Sequence, residues 1–488
     1  MKIEKNQLTF DRALIPIIFL IKKIRYIIMY SFIICVVVLV VSYFVYGKFI
    51  ERISGVDESR QTPAFSLQDG VDYVPMSKVK NFLVHFLNIA GLGPIFGAIQ
   101  GALFGPAAFV WIVLGTIFFG GVHDFFSGFM SMRNDGFTMP KIISKYLGTN
   151  VQKFMAVLIV ITGIFVSATF AKGAAGLLTD ITNIPILIWT IIIFIYFLIA
   201  TVFPVDKIIG KIYPIFGALL LIMAVMMIGA LILNPSYSIP EFTTQGLYLS
   251  DKNLFPFLFI TIACGAISGF HASQSPIVAR CIENENDARP VFYGAMVLEG
   301  LVALIWAAIA MAFFHGQPQL AVIYGATPSV GVYEMAKTLV GPVGLVLTII
   351  GVVVCPITSG DTALRSSRIT IADELHLNHE KIISRLKIAV PLFLVAFGLT
   401  FVDFSLIWRY FAVSQLIVAT IVLYAASVYL KNNEKPYIIA LLPAIICTLI
   451  SFAYILQAPE GLSLPSTIAN VISVIATTII AIIFIKKT

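Results

Sequence analysis

The chain has 488 residues, of which 59% are hydrophobic and only 12% are charged, and its mean hydropathy is +0.97. A soluble globular protein of this length needs far more charge on its surface, so that class is excluded. The formal net charge of +7 is explained by the basic loops described below and requires no nucleic-acid partner.

Apolar stretches of about 20 residues recur along the chain, and each is long enough to cross roughly 30 Å of hydrocarbon as a helix. They are too long for the strands of an outer-membrane barrel, which have about 10 residues each. The sequence therefore predicts an all-α polytopic membrane protein that lies in a lipid bilayer. About 13 transmembrane helices are expected, at 26–47, 82–104, 106–131, 151–176, 185–204, 212–233, 254–280, 290–315, 329–357, 386–402, 404–430, 437–457 and 466–485.

One set of alternate loops carries 22 Lys and Arg residues, whereas the opposite set carries 4. Because basic loops remain in the cytoplasm, this bias predicts a multi-pass protein with a cytoplasmic C-terminus. Residues 1–25 form a basic N-terminal segment ahead of the extra span 26–47, and 13–21 fit an interfacial helix. The five cysteines are isolated, without a CxxC pair, so neither a disulfide framework nor a metal site is predicted.

Glycine and proline interrupt two of the ten central spans. The first, FLNIAGLGPIFGAIQGALFG, contains Gly91, Gly93, Pro94 and Gly97. The sixth includes ITIACGAISGFHASQSPIVARC, with Gly265, Gly269, His271, Ser273, Gln274, Ser275 and Pro276. Because these spans lie five apart and start on opposite sides, we expect two inverted five-helix repeats, 82–233 and 254–430, followed by two C-terminal spans in 437–488.

Unwound backbone is costly in lipid, and it persists where it lines a cavity or binds something. Pro94 and Pro276 suit the first position of a resumed half-helix, and Ser273 or Ser275 suits a cap for the second one. The positive helix ends would favour a carboxylate, so the residues of both breaks are predicted to bind a small anionic or zwitterionic substrate. The alternative is that the glycines serve close helix packing.

Ionisable side chains within spans usually mark a transport pathway or a buried pair. His123 and Asp124 lie in the second central span, Glu299 in the seventh, and Asp361 at the end of the eighth beside Thr358 and Ser359. These six residues are candidates for ion coupling. A histidine or carboxylate suits H⁺, whereas hydroxyls beside a carboxylate suit Na⁺. For Asp124 and Glu299, structural pairing is an equal alternative.

Six stretches resemble the carbon starvation protein A (CstA) family of bacterial transporters, in its short class. They are DGVDYVPMSKVKNFLVHF (69–86), IAGLGPIFGAIQGALFGP (89–106), GGVHDFFSGFMSMRNDG (120–136), NLFPFLFITIACGAISGFH (253–271), VFYGAMVLEG (291–300) and TSGDTALRSSR (358–368). The resemblance implies the amino acid–polyamine–organocation superfamily, whose fold is a leucine-transporter-like five-plus-five inverted repeat with discontinuous first and sixth core helices. It also implies a cation site between 91–94 and 358–361.

The resemblance further implies a carrier of the bacterial plasma (inner) membrane that imports peptides or pyruvate during carbon starvation, by H⁺ symport. No cofactor is expected beyond the coupling ion. A Na⁺-coupled amino acid or peptide carrier is one alternative. An intramembrane acyltransferase that uses His123 and Asp124 is another, but the sequence contains no GxSxG, HExxH or nucleotide-binding loop to support an enzyme.

Overall fold

The computed structural model describes residues 29–70, 72–201, 205–242, 253–314, 320, 327–377 and 382–487. The predicted basic segment 1–25 and interfacial helix 13–21 lie outside these residues. The first half contains α1 (Tyr30–Ser54), α2 (Pro63–Ser66), α3 (Lys78–Ala90), α4 (Gly93–Phe104), α5 (Ala107–Met132), α6 (Met139–Leu147), α7 (Thr149–Thr182), α8 (Ile186–Ala200) and α9 (Val205–Leu233). The second contains α10 (Leu254–Thr261), α11 (Ala263–Ala266), α12 (His271–Ala279), α13 (Glu285–Phe313), α14 (Pro328–Glu374), α15 (Ile382–Leu399), α16 (Phe404–Asn432), α17 (Ile438–Gln457) and α18 (Ser466–Lys487).

The predicted all-helical membrane architecture is confirmed. Ten of these helices are long and apolar enough to cross a bilayer, and two bent helix pairs bring that number to 12. The shorter apolar helix α8 coincides with the one remaining predicted span. Within the described residues, the strand-like pairing consists of an isolated bridge between Met76 and Ile282.

Both predicted breaks are present as sharp bends. Helices α3 and α4 meet at 52°, and α10 meets the α11–α12 segment at 71°. At the first bend Gly91 has φ +33°, which is accessible to glycine and strained for other residues. Pro94 lies in the first turn of α4, as the sequence predicts, where its missing N–H costs no hydrogen bond.

The second bend differs from the prediction in how the helix resumes. Ile267 is extended, and α12 begins at His271, so Pro276 lies inside the helix rather than at its first position. At the start of α12, the N–H groups of His271 and Ala272 already donate i→i−3 hydrogen bonds to the carbonyls of Ser268 and Gly269. Because these bonds start the helix, neither proline nor a serine cap is needed there.

The segment between the predicted spans 329–357 and 386–402, expected to be a loop, is also different, since α14 continues as a helix to Glu374. Its polar side chains are buried against other helices. Ser367, Arg365 and Arg368 are 0%, 3% and 4% exposed. A polar helix that packs into protein therefore replaces the expected loop.

The basic loops of one predicted side meet in a cluster of ion pairs. Arg133 contacts both carboxylate oxygens of Glu285 at 2.6 Å, and Arg60 lies 3.7 Å from the same carboxylate. Lys78 pairs with Asp287 at 2.9 Å. Loops that the charge bias assigns to one side of the membrane are thus together on one face of the protein.

Candidate functional site

Four of the predicted residues form one fully buried cluster at the second bend. His123 and Asp124 lie on α5, His271 opens α12, and Glu299 lies on α13, and all four are 0% exposed. The Nδ1 atoms of His123 and His271 each lie 2.8 Å from a different carboxylate oxygen of Asp124. Nε2 of His271 lies 3.4 Å from Oε2 of Glu299.

These distances fix where hydrogen must be. Each imidazole donates an N–H to Asp124, since a carboxylate can only accept. In a neutral His271 the other nitrogen, Nε2, then carries a lone pair that faces the Glu299 carboxylate. Two facing lone pairs repel, so the contact is favourable with a proton on Nε2 or on Oε2. A contact of this geometry suits one proton between His271 and Glu299.

Two further polar residues of this region are not among the sequence-predicted site residues. His85 and Asn88 lie near the end of α3, and both are 0% exposed. Among the described residues, neither side chain has a hydrogen-bond partner. The signal in the sequence is a polar pair at i, i+3 within the apolar stretch just before the first break.

The glycines of the two breaks lie in tight helix contacts. A Cβ on Gly93 would lie 2.0 Å from Sγ of Cys264, and one on Gly269 would lie 1.9 Å from the carbonyl oxygen of Gln415. An added Cβ would also lie 2.4 Å from Phe170 at Gly91, 3.1 Å from the carbonyl of Thr261 at Gly97, and 2.9 Å from Ala303 at Gly265. Close helix packing is thus sufficient to explain why these positions are glycine. Contact between their backbone and a substrate stays a prediction.

The polar residues of α12 do not cap it. Ser273 donates to the carbonyl of Phe270 at 2.7 Å, and Ser275 donates to that of His271 at 3.0 Å. Gln274 donates to Ser273 at 2.7 Å. Its Oε1 is buried and has no hydrogen-bond partner in the described part of the chain, so it can accept from a guest.

The predicted cation site on α14 is divided between two faces of that helix. Ser359 faces α3 and donates to the carbonyl of Leu87 at 3.3 Å, while Thr358 donates to Cys355 within its own helix at 2.8 Å. Asp361 accepts a 2.8 Å hydrogen bond from Tyr213 on α9. Within the described residues, its other carboxylate oxygen has no hydrogen-bond partner, so no hydrogen bond joins Asp361 to the first break.

A cavity of about 530 Å³ opens on the face with the basic loops. It is lined mainly by charged and aromatic residues: Asp69, Asp72, Tyr73, Phe137, Thr138, Lys141, Arg280, Ile369, Asp373 and Arg385. A narrow pocket of about 10 Å³ shares Thr138, Arg280 and Ile369 with it and reaches Ser273 and Pro276. This pocket is at the lower limit for one water molecule, about 10–15 Å³.

The family model for carbon starvation protein CstA matches residues 28–188 and 179–332, which together cover well over half of the chain. The chain belongs to this family. An uncharacterised membrane protein of Haemophilus influenzae is 42% identical over 342 residues, which are 59% of this chain and 92% of that protein. The predicted family is thereby confirmed, and five of the six sequence stretches, those between 69 and 300, lie within the residues matched.

Several relatives carry functional names, and two of them represent the two substrates named. The peptide transporter CstA of Campylobacter jejuni is 29% identical over 57% of this chain and 49% of its own length. The pyruvate/proton symporter BtsT of Escherichia coli is 28% identical over 55% and 47%. The chain thus spans about half the length of these transporters. Their names agree with a multi-pass bacterial membrane transporter and with the prediction that the chain is not an enzyme.

Solved structures show the fold. MhsT in complex with L-phenylalanine aligns with a TM-score of 0.57 at 15% identity, over 83% of this chain and 99% of that one. A variant manganese transporter of Eremococcus coleocola aligns with a TM-score of 0.54 at 14% identity, over 86% and 99%. Both are leucine-transporter-like, and the predicted fold class is confirmed.

Proposed function

We propose that this protein is a secondary active transporter that couples H⁺ entry to the uptake of a small carboxylate-bearing nutrient, pyruvate or a short peptide, during carbon starvation. It works in the bacterial plasma membrane with its C-terminus in the cytoplasm. The single observation that carries this proposal is the buried contact between His271 and Glu299, at 3.4 Å, beside the second break.

This contact supports H⁺ coupling because of its position. The proton would lie at the break, where a half-helix must move for the site to open to one side of the membrane and then to the other. His271 opens α12, directly after the unwound turn, and so moves with that half-helix if the break acts as a hinge. Separation of His271 from Glu299 would leave a buried carboxylate without its partner, which is costly. Loss of the proton and movement of the half-helix are therefore linked.

The two half-helices support a carboxylate as the guest. Both α4 and α12 begin at a break, so their positive N-terminal ends point into the protein interior. The buried side chains of His85, Asn88 and Gln274 add hydrogen-bonding groups around this region. Pyruvate and peptides, the substrates named for two relatives, both present a carboxylate.

Na⁺ coupling is the second candidate, and one contact favours it. Ser359 on α14 and the Leu87 carbonyl on α3 are only 3.3 Å apart, and oxygen ligands of this kind suit a hard cation. Asp361 does not join them, so the site would lack the carboxylate that the sequence predicts. H⁺ coupling therefore has the stronger structural support.

The deciding experiment uses the purified full chain in liposomes. Uptake of labelled pyruvate and of a labelled dipeptide is measured with an inward H⁺ gradient, an inward Na⁺ gradient or neither. We expect accumulation of one substrate with the H⁺ gradient and its collapse on addition of a protonophore. Accumulation that follows Na⁺ instead would replace the proposed coupling, and uptake of neither compound would refute the proposed substrate class.

A further inference from the structure

Three metal-binding side chains converge at the second break. Cys264 lies on α11, His271 opens α12 and Glu299 lies on α13, and one potential ligand atom from each lies within 4.8 Å of the others. Their exposed fractions are 2%, 0% and 0%. Because 7 and 28 residues separate them along the chain, no short spacing motif marks them in the sequence.

The polar atoms of this group are aimed at each other and are not satisfied elsewhere. Within the described part of the chain, neither oxygen of Glu299 makes a hydrogen bond, and Nε2 of His271 makes none. Cys264 makes a weak S–H···O hydrogen bond of 3.6 Å to Ser268, as thiols are poor donors. Buried polar atoms in proteins are normally hydrogen-bonded, so this arrangement calls for a ligand.

We propose that Cys264, His271 and Glu299 form a binding site for a borderline divalent transition-metal ion, with Zn²⁺ the best match. Thiolate, imidazole and carboxylate bind Zn²⁺ at about 2.0–2.3 Å, in sites that keep a fourth, open position when three protein ligands are present. The thiolate disfavours Mg²⁺ and Ca²⁺, which prefer oxygen ligands. Separations below 4.8 Å need only a small inward movement of the ligand atoms.

Charge balance makes such an ion acceptable in the protein interior. Binding displaces the thiol proton of Cys264 and the proton held between His271 and Glu299. One divalent ion enters and two protons leave, so the net buried charge is unchanged. An uncompensated ion at this depth would be far more costly.

The ligands lie on both sides of the unwound segment. Cys264 precedes it, His271 follows it, and Glu299 belongs to a neighbouring helix. A bound ion would therefore fix α11 and α12 relative to α13. Zn²⁺ would then inhibit uptake, a consequence that rests on the proposed function, whereas metal binding itself does not.

The test measures metal binding by the purified full chain and needs no transport. Co²⁺ serves as a spectroscopic substitute for Zn²⁺, and thiolate coordination produces a charge-transfer absorption band in the near ultraviolet. We expect this band in the native chain, its loss on addition of Zn²⁺, and its persistence in excess Mg²⁺. The band should be absent in Cys264→Ser and unchanged in Cys447→Ser, which removes a buried thiol from α17.

Two further measurements guard against a folding defect in Cys264→Ser. Glu299→Gln keeps the thiol, and we expect its Co²⁺ affinity to fall at least about tenfold, since even loss of an outer-shell partner costs 10- to 100-fold. Zn²⁺ should also raise the melting temperature of the native chain, because it binds the folded state. A native chain without the sulfur band, or the same band in Cys264→Ser, would overturn the proposal.

Discussion

Glu299 is the residue on which H⁺ coupling most depends, because its buried carboxylate faces a histidine and no hydrogen-bond donor among the described residues. In Glu299→Gln the amide can donate to His271 Nε2 permanently, so the proton is no longer exchanged. We expect uptake driven by the H⁺ gradient to fall at least tenfold, while the melting temperature holds or rises because a costly buried charge is removed. Liposome uptake and thermal unfolding in detergent measure the two effects.

The matched control is Glu334→Gln, since Glu334 is an exposed glutamate on α14. It should leave both uptake and melting temperature unchanged. Full H⁺-driven uptake by Glu299→Gln would remove Glu299 from the coupling mechanism and return it to a structural role.

Gly93 provides a second test at the level of one residue, through the contact between the two breaks. A Cβ in Gly93→Ala would lie 2.0 Å from Sγ and 2.3 Å from Cβ of Cys264, so the bent segments must move apart. We expect a loss of about 1–3 kcal/mol in the free energy of unfolding, as for other overpacked sites, and reduced uptake. The measurements are denaturant unfolding in detergent and liposome uptake.

Gly229→Ala is the comparison for that variant, because its Cβ would meet no atom within 4 Å on α9. It should be neutral or slightly stabilising, since alanine is the better helix former. Combining Gly93→Ala with Cys264→Gly should restore part of the lost stability. If Gly93→Ala were as stable as the native chain, the two breaks would not be in the tight contact described.

Among the elements, the helices could be predicted because length and apolarity are local properties of the chain. The end of α14 could not, because its arginines and serines are buried by partners distant in sequence, and polarity there resembles that of a loop. The cluster was foreseen only as separate ionisable residues. Asp124 accepts a hydrogen bond from His271, which is 147 residues away along the chain. This contact depends on how the helices pack, and no residue spacing in the sequence predicts it.

The ion-pair cluster where α13 begins provides a prediction of its own, through Glu285. This side chain is 1% exposed and joins Arg133, Arg60 and the backbone N–H of Asp57. Glu285→Gln removes the charged acceptor of the partly exposed Arg133 and Arg60, so we expect a lower melting temperature, with a loss of stability on the order of 2 kcal/mol. Thermal unfolding in detergent measures it.

Glu58→Gln is its control, as Glu58 is an exposed glutamate of the same face and bonds only Asn286 among the described residues. An exposed pair contributes little, so no more than about 1 kcal/mol should be lost. Equal effects of the two variants would mean that the ion-pair cluster does not stabilise the fold.

For the whole molecule, the charge bias predicts which face is cytoplasmic, and the structure supplies matching positions for a test. Helix α18 ends with Lys486 and Lys487, whereas Gly461 lies in the loop between α17 and α18. A fluorescent reporter at the C-terminus should be active in the cytoplasm, and a periplasmic phosphatase fused after Gly461 should be active outside. The reverse pattern would invert the proposed orientation.

The carboxylates predicted for ion coupling occupy two separate places, Asp124 with Glu299 near α12 and Asp361 against Tyr213 on α9, and the two places share no hydrogen-bond partner among the described residues. If each place carries one H⁺, the number of occupied places sets the steepest concentration gradient that the cell can maintain. One positive charge that crosses 100 mV releases about 2.3 kcal/mol. That free energy corresponds to about 50-fold accumulation of the substrate inside the cell. Pyruvate with one H⁺ crosses without net charge, so the second place would decide whether membrane voltage contributes to its uptake at all.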